Sequence, residues 1–226
     1  MKTLQQLIQG YQHFLTVYCP KHQDLLAQLS GGQQPQVLLI TCSDSRIEPG
    51  LIFQTEPGDL FVLRNAGNMV PPYGDRNSAE AGTIEFAILG LKVHDIVVMG
   101  HTQCGAVRAL LQLDNVRTQL PCLCQYLAMS ARVPALIGAR SQEADAERQF
   151  RLAVYQNVLV QLDNLLTHPA VASAVERGQV ALHGWVYHIE TGAIDAYHHS
   201  TGQFVPLQQA PIEPIHSEWP LRQISW

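Results

Sequence analysis

Nowhere in these 226 residues does an apolar run approach the ~18 uninterrupted positions that a membrane-spanning helix requires. Basic runs are missing too. Fourteen Lys and Arg stand against nineteen Asp and Glu, a net charge of −5, which argues against a nucleic-acid partner and against an anionic membrane surface. The N-terminus, MKTLQQLIQG, has neither the continuous apolar stretch nor the small-residue cleavage site of a signal peptide, so a cytoplasmic protein is expected. Cysteine is sparse and odd in number: Cys19, Cys42, Cys104, Cys122 and Cys124. An odd count without an export signal does not suit a disulfide framework, and metal binding or catalysis is the livelier use of a thiol.

What is present suffices for a folded core, since 46% of the residues are hydrophobic. With no linker, repeat or low-complexity tract, one domain over 1–226 is expected. Leu4, Leu7, Ile8, Tyr11, Phe14 and Leu15 recur at helical spacing, and a second amphipathic helix carries Leu25, Leu26 and Leu29 up to Gly31-Gly32. Together they form a helical arm over 1–30. The period then changes to short continuous apolar runs at 37–40, 60–63 and 96–99, the mark of strands covered on both faces. A helix over 78–91, with Ser78 as its cap and Gly90 near its end, separates the second and third runs. Residues 120–166 read as helical with an interruption near 134–138, and a short helix follows at 169–177. A fourth strand over 180–189 then turns at Thr191-Gly192 into a fifth over 194–197.

The fold class is therefore α/β: a mainly parallel sheet of four strands plus an edge strand, flanked by helices. Prolines 206, 211, 214 and 220 exclude regular structure after Phe204. The tail over 208–226 still keeps Ile212, Ile215, Trp219 and Trp226, so it is expected to lie along a surface or a neighbouring subunit.

Parallel sheets place working residues just past the carboxyl ends of their strands. The first run ends into Cys42-Ser43-Asp44-Ser45-Arg46 and the third into His101-Thr102-Gln103-Cys104-Gly105. If those strands are neighbours, two thiolates and one imidazole converge: Cys42, His101 and Cys104. That is three ligands for Zn²⁺ with the fourth position open, the pattern of a catalytic rather than a structural site. Cys104 at a helix start favours the thiolate. Asp44 and Arg46, two and four residues past Cys42, read as a pair in which the guanidinium keeps the carboxylate ionised and oriented. Cys19, Cys122 and Cys124 have no such company, and His188, His198 and His199 read as surface residues.

Cys-Ser-Asp-Ser-Arg at 42–46, Arg-Asn-Ala-Gly-Asn at 64–68 and His-Thr-Gln-Cys-Gly at 101–105 together resemble the β-class carbonic anhydrases, in the plant-type and bacterial branch that includes cyanobacterial carboxysomal members. The likeness runs over roughly residues 1–207. It implies one Zn²⁺ per subunit on Cys42, His101 and Cys104, and a catalytic pair in Asp44 and Arg46. It also implies that Gln33 hydrogen-bonds bicarbonate and that Phe61 walls a CO₂ pocket. Phe86 stands where plant-type members commonly have Tyr, so the ring is kept and the hydroxyl lost. The implied activity is reversible hydration of CO₂ to bicarbonate and a proton. Two thiolates donate more charge than imidazoles, which predicts a more alkaline activity optimum than an all-His site gives.

The resemblance further implies a homodimer or higher homo-oligomer, with the N-terminal helices packed on a partner subunit. A carboxysome is the alternative location to the cytoplasm, with carboxysome proteins as partners and the Pro-rich tail as a candidate partner segment. Two rivals stand against the enzyme. One is a cysteine nucleophile with a phosphate-cradling loop, but Arg46 is only four positions after Cys42 and no Gly lies between them. The other is a non-catalytic zinc or bicarbonate-sensing or scaffold module on the same fold, which the presence of Asp44 and Arg46 disfavours.

Overall fold

Thr3 starts the first helix. Its hydroxyl accepts from the Gln6 amide while the Gln6 side chain accepts from the Thr3 amide, a reciprocal cap on α1 (Leu4–His13). In this computed structural model, which describes residues 2–74, 78–138 and 145–209, a π turn at Phe14–Tyr18 continues α1 into α2 (Cys19–Lys21), and α3 (Gln23–Ser30) follows. These helices belong to a unit spanning residues 1–34, and 35–226 form a second unit. None of the described residues of the first unit is buried: Leu4, Leu7 and Tyr11 are 75%, 58% and 60% exposed. The apolar stripe read from the sequence is thus present and uncovered.

In the second unit, β1 (Val37–Cys42), β2 (Leu60–Asn65), β3 (Asp95–His101) and β4 (Ala181–Tyr187) run parallel. β5 (Ile194–His198) and β6 (Gln203–Pro206) complete the sheet antiparallel, in the order β2-β1-β3-β4-β5-β6. This is one strand more than expected, because Pro206 was taken to exclude structure past Phe204. β6 is an edge strand, where a residue without an N–H leaves no ladder bond unmade. Leu38, Leu39, Ile40, Ile96, Val98 and Met99 are at most 1% exposed, which is why their runs show no alternation.

Helices fill the crossovers: α4 (Pro49–Phe53), α5 (Ala79–Glu85), α6 (Gly105–Leu110), α7 (Leu113–Val116), α8 (Pro121–Leu127), α9 (Arg132–Gly138), α10 (Ala146–Thr167) and α11 (Pro169–Glu176). Ser78 caps α5 through the Ala81 amide, as its position suggested. A π turn at Phe86–Leu91 then ends on Lys92 in the left-handed region at φ 58°, not on Gly90. Gly90 instead makes room for a ring, since a Cβ there would lie 2.7 Å from Phe86. The expected interruption near 134–138 is also corrected. Pro134 sits in the first turn of α9, where its missing N–H has no intrahelical partner to lose.

α10 crosses β3 and β4 at close range. A Cβ on Gly100 would come within 2.8 Å of Val158, and one on Gly184 within 2.9 Å of Leu162, so both strands use glycine where the helix rests. His188 is not a free surface residue: Nε2 lies 2.8 Å from Asp195, whose carboxylate also accepts from the Tyr155 hydroxyl at 2.8 Å. Residues 210–226, most of the Pro-rich tail, lie outside the described residues.

Candidate metal centre

β1 leaves the sheet between β2 on one side and β3 on the other, so the chain's direction of travel reverses there. Such a switch point opens a crevice beyond the strand ends. Cys42 closes β1 and His101 closes β3, with Thr41 paired to Met99 just before them. Gln103 then takes φ 56°, a left-handed turn unusual for a residue with a Cβ, and this brings Cys104 back toward His101 at the cap of α6.

The result is a cluster in which Cys42 Sγ, Cys104 Sγ and a ring nitrogen of His101 all lie within 4.8 Å of one another, every residue buried. His101 Nδ1 is 2.7 Å from the Thr102 carbonyl, and a carbonyl can only accept, so Nδ1 carries the proton. Nε2 is left as a lone-pair nitrogen, fully buried and without a hydrogen-bond partner. A buried acceptor between two thiols is costly unless a cation sits there, and S₂N is a borderline-soft donor set suited to zinc. The residues fit the ion. Thr102 in turn is pinned: its N–H donates to the Tyr187 carbonyl at 2.9 Å and its hydroxyl donates to Glu190 at 2.8 Å.

The two sulfurs differ in electrostatic setting. The Cys42 thiol is drawn down to about 4, chiefly by its hydrogen bond with Cys104, then by His101 and by the Gly67 N–H 3.4 Å from its sulfur. Cys104 is driven up by the same bond and by burial. The hydrogen bond between them thus favours the thiolate at Cys42 and keeps the proton at Cys104.

Asp44 lies beside this cluster, its Oδ2 3.9 Å from His101 Nε2. Arg46 grips it with Nε on Oδ1 at 2.8 Å and Nη2 on Oδ2 at 2.7 Å, and the Arg46 amide adds a third donor at 3.0 Å. These bonds hold the Asp44 carboxyl well below the usual carboxylate range. All five residues read from the two loops thus meet at one place.

Two of the three candidates for substrate contact, Phe61 and Phe86, pack against each other away from the strand ends. Phe61 lies opposite Leu38, four positions before the end of β2 and ~13 Å short of the strand ends at ~3.3 Å per residue. It packs edge-on against Phe86 at 6.0 Å between ring centroids, and Phe86 is 51% exposed. Gln33 is exposed and belongs to the N-terminal unit.

Other residues at the site had been given no role by the sequence. Arg64 donates to the carbonyls of Cys42, Asp44 and Ile47 at 3.1, 3.0 and 2.8 Å, shaping the first loop from the neighbouring strand. On α10, Asn157, Gln161 and Asn164 hold the segment after β2 by its main chain. Asn157, Gln161 and Asn164 are four and three apart, so they share one face of α10, and that spacing was the one clue available.

Comparison with known proteins agrees with this geometry. A family model described as carbonic anhydrase matches residues 37–194. A carbonic anhydrase of Synechocystis sp. is 43% identical over 205 residues, covering 91% of this chain and 75% of that protein. The solved structure of the β-carbonic anhydrase CcaA superposes with a TM-score of 0.88 at 43% identity, covering 90% of this chain and 98% of that one. A tetrameric β-carbonic anhydrase of Sordaria macrospora matches with a TM-score of 0.72 at 26% identity, covering 85% and 95%. With a buried Cys-His-Cys cluster set at the switch point of a matching sheet, the chain belongs to the β-class carbonic anhydrases, the zinc-dependent enzymes that hydrate carbon dioxide.

Proposed function

We propose that Cys42, His101 and Cys104 hold one zinc ion per subunit, and that Asp44 and Arg46 orient the reacting water as CO₂ and water become bicarbonate and a proton. The observation that carries this reading is the partnerless His101 Nε2, buried beside two thiols and next to a clamped carboxylate. Zinc bound there supplies an activated water as nucleophile near neutral pH.

The remaining steps are done by the chain. Asp44, ionised and therefore acceptor-only, takes a hydrogen bond from the attacking water and so turns its lone pair toward CO₂. Arg46 keeps Asp44 charged and holds both its oxygens, leaving the carboxylate in its place beside His101. At ~13 Å from the strand ends, Phe61 and its neighbour Phe86 serve the site of an associated subunit rather than their own. The exposed stripe of α1 supports such an association, in a homodimer or a multiple of one. The net charge and the lack of a helix long and apolar enough to cross a membrane, among the described residues, support a cytoplasmic place.

Metal analysis paired with stopped-flow CO₂ hydration tests the reading. One zinc per chain and loss of hydration on chelation, restored by zinc, are expected. Hydration that survives zinc removal overturns it.

A further inference from the structure

We propose that Asn157, in the middle of α10, is a positioning residue for the metal centre, acting through Gly67 on the sulfur of Cys42. This inference rests on the zinc reading above and extends it to a residue that touches neither metal ligand nor substrate.

An amide side chain facing a sheet from a helix interior costs free energy unless each of its polar atoms is matched. Asn157 is 1% exposed, and both are matched. Its Oδ1 accepts from Gln161 Nε2 at 2.8 Å, which leaves the NH₂ edge to face the segment after β2. There Nδ2 donates to the Gly67 carbonyl at 3.0 Å. On the other side of the same Cα, the Gly67 N–H donates to Cys42 Sγ at 3.4 Å. Gly67 holds φ 84°, where a glycine would otherwise range freely. A bond on each of its two peptide planes removes that freedom and fixes the direction of the N–H.

The consequence lies in the sulfur. An N–H donated to a thiolate fixes the direction of the lone pair offered to a bound metal, so its loss loosens the metal, while the charge returned to the sulfur lowers its charge-transfer energy. Partners of this kind, one bond beyond the ligands, typically change metal affinity or activity 10–100-fold when removed. The rest of the stripe supplies an internal control. Gln161 Oε1 accepts from the Val70 N–H and Asn164 Nδ2 donates to the Val70 carbonyl, both at 2.8 Å. These bonds hold the same segment but do not touch Gly67.

The test uses the full chain loaded with zinc, and again with cobalt(II), whose thiolate charge-transfer absorption reports on sulfur donation. In Asn157→Leu, zinc release into excess chelator rises about 10–100-fold and the charge-transfer band moves to longer wavelength. Asn164→Leu lowers thermal stability but leaves both the band and the release rate near wild type. Should Asn157→Leu not fold, Asn157→Ser, too short to reach Gly67, is measured for the same two changes. A wild-type band and release rate in the Asn157 variants overturn the proposal, as does an equal change in Asn164→Leu. Wild-type protein that takes up neither zinc nor cobalt overturns the metal reading itself, and this inference with it.

Discussion

Arg46 Nη2 donates to the main-chain carbonyl of Gln103 at 3.1 Å. The same guanidinium grips Asp44, so one side chain ties the loop after β1 to the left-handed turn between His101 and Cys104. The two loops that supply the ligands are far apart in sequence, and neither contains a disulfide or a regular element that would fix their separation. Arg46 does so with a planar fork whose geometry lysine cannot reproduce.

Arg46→Lys keeps the charge and loses the fork. We expect kcat/KM for CO₂ hydration to fall by about 10²–10³-fold, within the range for removal of a group that orients a reacting proton. Zinc content should stay near one per chain, because the three ligands are untouched. Stopped-flow hydration and metal analysis on the same sample check this, and a rate within threefold of wild type contradicts it.

Asp44 gives a pH dependence whose sign is fixed. The hydrogen bonds from Arg46 depress its folded-state pKa, so the unfolded chain binds the proton first as pH falls. The stabilisation is therefore complete above the unfolded value of about 3.9 and is lost as pH drops through the lower folded value. Urea unfolding of zinc-stripped wild type and Asp44→Asn should show a constant difference from pH 7 to 5. That difference should shrink only in stronger acid. Arg46 is about half exposed, so solvent screening keeps the effect small. A difference that stays constant from pH 5 down through pH 2 would place the folded-state titration of Asp44 in the ordinary range and contradict the clamp.

Much of this arrangement is legible in the chain itself. β1, β2 and β3 announce themselves because parallel strands buried on both faces need continuous apolar runs, and the reactive residues follow those runs directly. The illegible parts have physical causes. β6 hides because a proline at a sheet edge costs nothing, yet reads as a breaker. α9 hides for a related reason, since Pro134 begins that helix where it seems to end one. Gly90 lies near the end of that helical stretch as expected, yet its reason is not legible: it answers to the Phe86 ring, and Lys92 takes the left-handed backbone. Asn157 acts on a main-chain carbonyl of another segment, and a carbonyl leaves no mark in a sequence; Arg64 stands in a legible motif, but its hold on the first loop does not show there.

Stripping the metal should change cysteine reactivity in a definite order. The hydrogen bond from Cys104 draws the Cys42 thiol well below the ordinary range, which favours its thiolate at pH 6, where an ordinary thiol with a pKa of about 8.5 is less than about 1% ionised. Iodoacetamide at pH 6 should therefore modify Cys42 in the zinc-free protein ahead of Cys122, although Cys42 is buried and Cys122 exposed. Zinc should reverse that order by occupying the Cys42 sulfur. Peptide mass mapping reads the sites. Prior labelling of Cys122 in the stripped protein would show that burial outweighs ionisation and contradict the preference for the thiolate at Cys42.

Gly67→Ala tests the backbone that joins the first cysteine to α10. The φ of 84° disfavours any residue with a Cβ. The added carbon would also stand 2.9 Å from Met69 Cε and 3.1 Å from Ala106 Cβ. Met69 Cε is the free end of a flexible side chain and can swing aside, but Ala106 is held in α6. Backbone strain and overpacking together should destabilise the fold by about 1–3 kcal/mol, measured by urea unfolding of the zinc-loaded protein. The N–H that faces Cys42 turns with the residue, so zinc release into chelator should also quicken. A variant as stable as wild type would mean that the segment after β2 relaxes without cost, and that Gly67 is not the fixed point between Cys42 and Asn157.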